Sequence, residues 1–250
     1  MLSIEEVQAK YKDLRFNSIA DSLETLLREA EDQEISYLQF ADRLVEHEIK
    51  VRDDNRIALN RKRAAFPLIK RLEEFDYRAQ STISKKQVAA LLDFQFVDNR
   101  ENLIFIGPPG VGKTHLATAI AIKAIEAGYK ILFKTAIELM ETLELAEVRG
   151  ELKKKINAIA KFDLIILDEL GYLPMNQQAM FNLFQLINHL YEYRSIILTT
   201  NKEFNHWGDF FFDENVALPI IDRLIHHSRI FILGGESFRL RAKVAQTSAL

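Results

Sequence analysis

Five short apolar runs mark out the second part of the chain: NLIFI (102–106), KILFK (130–134), DLIIL (163–167), SIILTT (195–200) and RIFIL (229–233). Each is nearly continuous rather than alternating with polar residues, the pattern of strands covered on both faces. Between them the apolar positions change to helical spacing. HLATAIAIKAIEA (115–127) is closed by Gly128. Residues 136–145 follow Thr135, which can cap them; Gly150 breaks that helix and 151–160 resumes it. Residues 177–193 carry Met180, Phe181, Phe184, Ile187 and Leu190 on one side, and 214–226 read as a last helix that Pro219 either kinks or starts. Strands alternating with helices predict an α/β fold: a five-stranded parallel sheet covered on both faces.

The first part reads differently. Ser3 and Glu6 form a capping-box pattern ahead of a short helix. Ile19, Leu23, Leu26, Leu27 and Ala30 keep the spacing of a second helix. A third starts near Ser36, with Gln39 three residues on, and carries Phe40, Ala41 and Leu44 on one face. Its charged continuation can run to Pro67. These helices bury little by themselves, so residues 1–66 are expected to form a small N-terminal helical module. Residues 67–101 then form a connector containing LEEFDY and a helix over 84–92.

Composition narrows the class. At 250 residues and 48% hydrophobic, one large domain with an appendage is expected. There is no cysteine, which removes disulfides, thiolate metal sites and cysteine nucleophiles, and suits a reducing cytoplasm. The charged start MLSIEEVQAKYKDL is no signal peptide, and no run approaches the roughly 20 apolar residues of a membrane span. A net charge of -3 confines any nucleic-acid surface to local clusters. Two are available: Lys50, Arg52, Arg56, Arg61, Lys62 and Arg63 with Lys70 and Arg71, and Arg149 with Lys153, Lys154 and Lys155. Phosphate contact and an ordinary solvated helix face compete for both.

The chemistry starts at the first strand. After NLIFI comes GPPGVGKT, Gly107-x-x-x-x-Gly112-Lys113-Thr114, and then a helix. Strand, glycine loop and helix start are the context in which this pattern binds a nucleoside triphosphate. Gly107, Gly110 and Gly112 let the backbone wrap the phosphates, and the loop Gly107, Pro108, Pro109, Gly110, Val111 and Gly112 would present its N–H groups as an anion nest. Lys113 would reach the β- and γ-phosphates, and the Thr114 hydroxyl would ligate Mg²⁺. The third strand runs into Asp168 and Glu169. Ligands of an open parallel sheet sit beyond the strands' carboxyl ends, so Asp168 would hold Mg²⁺ beside Thr114 and Glu169 would act as general base. Asn201, ending the fourth strand, would orient the attacking water. Arg223 lies too far along the chain to belong to its own loop, and is a candidate arginine finger for a neighbouring copy; an ion pair with Asp222 or Asp213 is its ordinary alternative. Arg239 is a further nucleotide-sensor candidate. The aromatic run 204–212 reads as packing or a subunit contact rather than base stacking. The six histidines show no metal-ligand spacing, and His226-His227 reads as a helix end rather than a zinc site.

Several of these segments together resemble a known family. GPPGVGKTHLA, LIILDELGYLP, LTTN, HWGDFF, DRLIHHS and GESFRLR are similar to those of the IstB-like transposition helper ATPases of bacterial insertion sequences, and the likeness runs nearly the whole chain. It implies an AAA+ ATPase domain over 102–250, related to DnaC-type helicase loaders. It further implies Mg²⁺-dependent hydrolysis of ATP, self-association into rings or spirals, non-specific binding of duplex DNA, and assistance to a transposase of the IstA type. Matched residue by residue, it marks Lys113, Thr114, Asp168, Glu169, Asn201 and Arg223. Only about 17 residues follow Leu233, fewer than the helical lid usual in AAA+ proteins needs. A replicative helicase loader would share the same site. A P-loop small-molecule kinase would need an acceptor pocket and a lid that no segment offers, and a nucleotide-switched scaffold would bind ATP with little turnover.

Overall fold

The structure is a computed structural model that describes residues 2–78, 82–172, 174–208, 210–211, 214–235 and 237–238. By compactness the chain divides into two units, Met1–Leu59 and Asn60–Leu250.

The first unit is helical. α1 (Ile4–Asp13) opens on the Ser3/Glu6 capping box, with both hydrogen bonds formed. α2 (Asn17–Asp32) buries Ile19, Ala20, Leu23 and Leu26, and α3 (Tyr37–Ala64) adds Leu44 to the same small cluster. The residue before α2, Phe16, makes no side-chain cap. The cap comes instead from another helix: the buried Glu48 carboxylate of α3 accepts from Ile19 N at 3.0 Å. A negative charge at a helix N-terminus satisfies a loose amide and complements the helix dipole. Burial pushes the Glu48 carboxyl up, but the Ile19 N–H and the Arg52 guanidinium outweigh it and hold the group below the usual carboxylate range. Arg52 bonds Glu48 at 2.8 Å and the Arg15 carbonyl at 2.7 Å, and Arg56 pairs with Asp53 at 3.2 Å. In the second unit, Arg61 pairs with Glu126 at 2.7 Å. Arg52, Arg56 and Arg61 of the first basic cluster are therefore each paired with a carboxylate.

In the second unit a Ser84/Gln87 capping box starts α4 (Lys85–Ala89), shorter than the expected helix over 84–92, and α5 (Gln95–Asp98) follows. Then the sheet begins. β1 (Asn102–Ile106), α6 (Lys113–Glu126), β2 (Ile131–Thr135), α7 (Ala136–Val148), α8 (Leu152–Ile159), β3 (Leu164–Leu170), α9 (Gln177–Leu190), β4 (Ser195–Thr200), α10 (Glu214–His226) and β5 (Ser228–Ile232) alternate as the apolar pattern predicts. All pairs are parallel, in the order β2-β3-β4-β1-β5. Every residue of β1 and β4 is buried, as expected for central strands sandwiched by helices. Thr135 caps α7 through a complete box with Glu138. Pro219 lies inside α10, not at its start. Among the described residues no helix is long and apolar enough to cross a membrane.

β3 departs from expectation. The apolar run DLIIL ends at Leu167 and the sequence pattern predicts a strand that finishes on its two acids; the strand contains both and runs on to Leu170. Glu169 has φ +61° and breaks the register with β4 between Leu167 and Leu170. This bulge sends neighbouring acids to different environments: Asp168 is 4% exposed, while Glu169 is exposed.

Candidate nucleotide site

The parallel strands end at one edge, and there the glycine loop turns from β1 into α6. The loop is held tightly. Gly107 N donates to the Thr200 carbonyl at 3.1 Å, and Phe238 N donates to the Gly110 carbonyl at 3.0 Å. Gly110 has φ +84°, and a Cβ there would lie 2.1 Å from Ser237 Oγ; Gly112 has φ +98°, and a Cβ would meet the Phe75 ring at 2.7 Å. Both positions exclude larger residues by conformation and by space, so the backbone itself is what the loop offers. Gly112, with no side chain to act as a cap, precedes α6. A helix start behind a glycine loop is an anion-binding arrangement.

Lys113 extends across the loop and donates from Nζ to the Gly107 and Pro108 carbonyls at 2.7 and 2.9 Å. Thr114 Oγ1 lies 2.9 and 3.1 Å from the two carboxylate oxygens of Asp168. A hydroxyl and a carboxylate side by side at the end of the loop are the oxygen donors that suit Mg²⁺. The Val111 side chain is buried at 1% exposure and belongs to the packing.

Thr199 ties the acids together, a role its place in an apolar strand did not announce. Its hydroxyl donates to Asp168 Oδ1 at 2.6 Å and accepts from Glu169 N at 2.9 Å. The side chain is fully buried. One hydroxyl therefore fixes the buried carboxylate and replaces the ladder bond that the bulge at Glu169 breaks.

A cavity of about 490 Å³ opens over the loop, within the range of small-molecule sites. Pro109, Gly110, Lys113, Thr114, Glu169 and Asn201 line it, so the structure brings these sequence candidates together. Its other wall is the connector, for which the sequence offered no role. Phe75 packs edge-on against His115, with ring centroids 5.4 Å apart, and His115 Nε2 bonds the Arg71 carbonyl at 2.7 Å. Phe75 and Leu68 give that wall an apolar surface of the kind a purine ring takes. Burial, with the Glu73 charge, raises the nearby Tyr77 hydroxyl above its usual range.

Arg223 is not in this cavity. It donates to Asn188 Oδ1 at 3.1 Å and to the Pro219 carbonyl at 3.0 Å, with its guanidinium 5.6 and 5.8 Å from the Phe184 and Tyr191 ring centres. The next residue, Leu224, accepts from Asn102 Nδ2 at the start of β1. Arg223 thus sits at the opposite edge of the sheet, about 15 Å from the loop for a five-residue strand. Arg239 lies outside the described residues, as does Asp213. The aromatic run packs: Trp207, Phe210 and Phe211 are buried, and Trp207 Nε1 donates to the Lys202 carbonyl at 3.1 Å.

A five-stranded parallel sheet in this order, with a glycine loop after β1 and paired acids in β3, defines a P-loop nucleotide-binding protein of the AAA+ class. Solved structures share the fold. They include the DnaC helicase loader (TM-score 0.53, 21% identity, covering 66% of this chain and 96% of that one). AMPPCP-bound DnaA from Aquifex aeolicus is another (TM-score 0.54, 20% identity, 74% and 56%). More specifically, the chain belongs to the family of IstB-like ATP binding proteins, whose model matches residues 9–246. It is 39% identical to the insertion sequence IS21 putative ATP-binding protein of Pseudomonas aeruginosa, over 96% of this chain and 91% of that protein. To the corresponding protein of insertion sequence IS5376 from Geobacillus stearothermophilus it is 41% identical, over 91% of each.

Proposed function

We propose that the chain is a Mg²⁺-dependent ATPase that assembles with copies of itself on duplex DNA and assists the transposase of an insertion sequence. The observation that carries the ATPase reading is the Thr114 hydroxyl seated on the Asp168 carboxylate at the end of the glycine loop.

Each residue then has a task. The loop N–H groups and the start of α6 bind the phosphates. Lys113 exchanges its two carbonyl partners for phosphate oxygens, since charge-assisted bonds are the stronger. Thr114 and Asp168 would hold Mg²⁺, which when bound offsets phosphate charge during transfer. Asn201, exposed at the cavity wall, orients a water molecule, and Glu169 accepts its proton as the oxygen joins the γ-phosphorus and the bond to the ADP oxygen breaks. Arg223 would meet the γ-phosphate of an adjacent copy. The Phe75 wall would cover the base.

The DNA and transposase parts rest on the family, whose relatives are insertion-sequence proteins. Locally, α8 and its flanks offer Arg149, Lys153, Lys155 and Lys161, all exposed, as phosphate contacts. The DnaC-like fold favours one second reading, a replicative helicase loader. Pull-down against a hexameric helicase and against a transposase encoded beside this chain separates the two.

Two variants test the site. Lys113→Ala should abolish binding of a labelled ATP. Glu169→Gln should bind ATP as well as the parent while hydrolysis falls by about 10²-fold or more. Full hydrolysis by Glu169→Gln would remove Glu169 from the reaction.

A further inference from the structure

His226 and His227 end α10, as their sequence position suggests, but the fold sets a third group beside them. Glu192 arrives from the turn after α9, in a left-handed conformation with φ +62°. One potential ligand atom from each of Glu192, His226 and His227 lies within 4.8 Å of the others, and all three residues are exposed.

We propose that Glu192, His226 and His227 bind a single borderline transition-metal cation, Zn²⁺ by preference. Two imidazole nitrogens and one carboxylate are the donor set of zinc sites that keep a water in the fourth position. Mg²⁺ prefers oxygen donors and would not compete there. Metal–ligand bonds of about 2.0–2.1 Å place tetrahedral ligand atoms about 3.3 Å apart. Closing the cluster therefore needs movements of about 1.5 Å at most, which rotation of exposed side chains supplies.

The surroundings fit a metal site. His226 Nδ1 is 2.7 Å from the Tyr191 hydroxyl. With Nδ1–H donating to that oxygen, the Nε2 lone pair is left for a metal, the way metal-binding histidines are held by an outer partner. The His226 and His227 rings lie 4.1 Å apart, centre to centre. An ordinary ion pair of His227 with Glu192 at 3.5 Å accounts for two of the three residues but gives His226 no part. Arg100, Arg194 and Arg223 line the cavity next to the cluster and oppose a cation. Each is engaged by carbonyl oxygens, and at an exposed edge their field is screened over about 8 Å. Tyr191 also lies beneath the Arg223 guanidinium, so an occupied site would tie the end of α10 to the turn that positions Arg223.

The test is a titration of the full-length chain, stripped with a chelator, with Zn²⁺ against a chromophoric zinc indicator in millimolar Mg²⁺ and without nucleotide. One Zn²⁺ per chain is expected. His227→Ala and Glu192→Gln should each lower affinity by about 100-fold, and Tyr191→Phe by about tenfold, with His47→Ala unchanged. Circular dichroism confirms that the variants are folded. No Zn²⁺ binding by the parent, or unchanged binding by both Glu192→Gln and His227→Ala, would overturn the proposal. Nucleotide is absent from the experiment, so its result is independent of the ATPase reading.

Discussion

At Thr199 one hydroxyl donates to the Asp168 carboxylate and accepts from the Glu169 backbone N–H, and on the proposed reading this bond pair would hold the two residues in register. Thr199→Val keeps the volume and removes both bonds, stranding the Glu169 N–H at a cost of about 1–3 kcal/mol. The variant should keep ATP affinity within about threefold while kcat falls about 10–100-fold, a range that such an energy spans. Thr199→Ser should recover most of the rate. Equilibrium binding of a fluorescent ATP analogue beside steady-state phosphate release reads the split; equal losses in binding and turnover would make Thr199 a packing residue. Lys113, Thr114, Asp168 and Glu169 stood out as candidates in the sequence because each is tied to a fixed offset along a loop or strand. Thr199 was hidden because its partners are about 30 positions earlier in the chain. Phe75 was hidden for the same reason: only the fold lays its ring on Gly112.

Helices and strands were legible where apolar period and caps agreed, as at Ser3 for α1 and Thr135 for α7. What the sequence did not disclose were the tertiary bonds at their ends. β3 continues through its acids because Thr199 catches the Glu169 amide, and no local signal announces that. The cap of α2 is likewise supplied from 29 positions away, by Glu48. Glu48→Ala should weaken α2 by about 1–3 kcal/mol. The Glu48 carboxyl titrates below its unfolded value when folded. Its contribution is therefore present above the ordinary carboxylate range and is lost as pH falls through the lower folded value. Hydrogen exchange of the α2 amides at pH 7 and in acid should show protection in the parent that declines on acidification, and reduced protection in Glu48→Ala at pH 7. Equal protection in both at pH 7 would assign the capping to something else.

For the whole molecule, the sheet separates two functional candidates. The glycine loop lies beyond the carboxyl ends of the strands, and Arg223 beside their starts. No side-chain motion within one copy spans the length of β1, so a single chain presents half of the proposed site on each of two edges. Chains stacked edge to edge would complete it, and on the proposed reading hydrolysis would then depend on assembly. Copy number and DNA path were not legible, because surface complementarity leaves no periodic trace in one sequence. The most direct measurement mixes two variants. Lys113→Ala has a defective loop and an intact Arg223; Arg223→Ala has the reverse. Each alone should lose nearly all DNA-stimulated ATPase activity. Mixed in equal amounts, they should recover up to about a quarter of the parent rate, the share of interfaces pairing an intact loop with an intact arginine under random assembly. Full activity of Arg223→Ala alone, or no recovery on mixing, would contradict a site shared between copies.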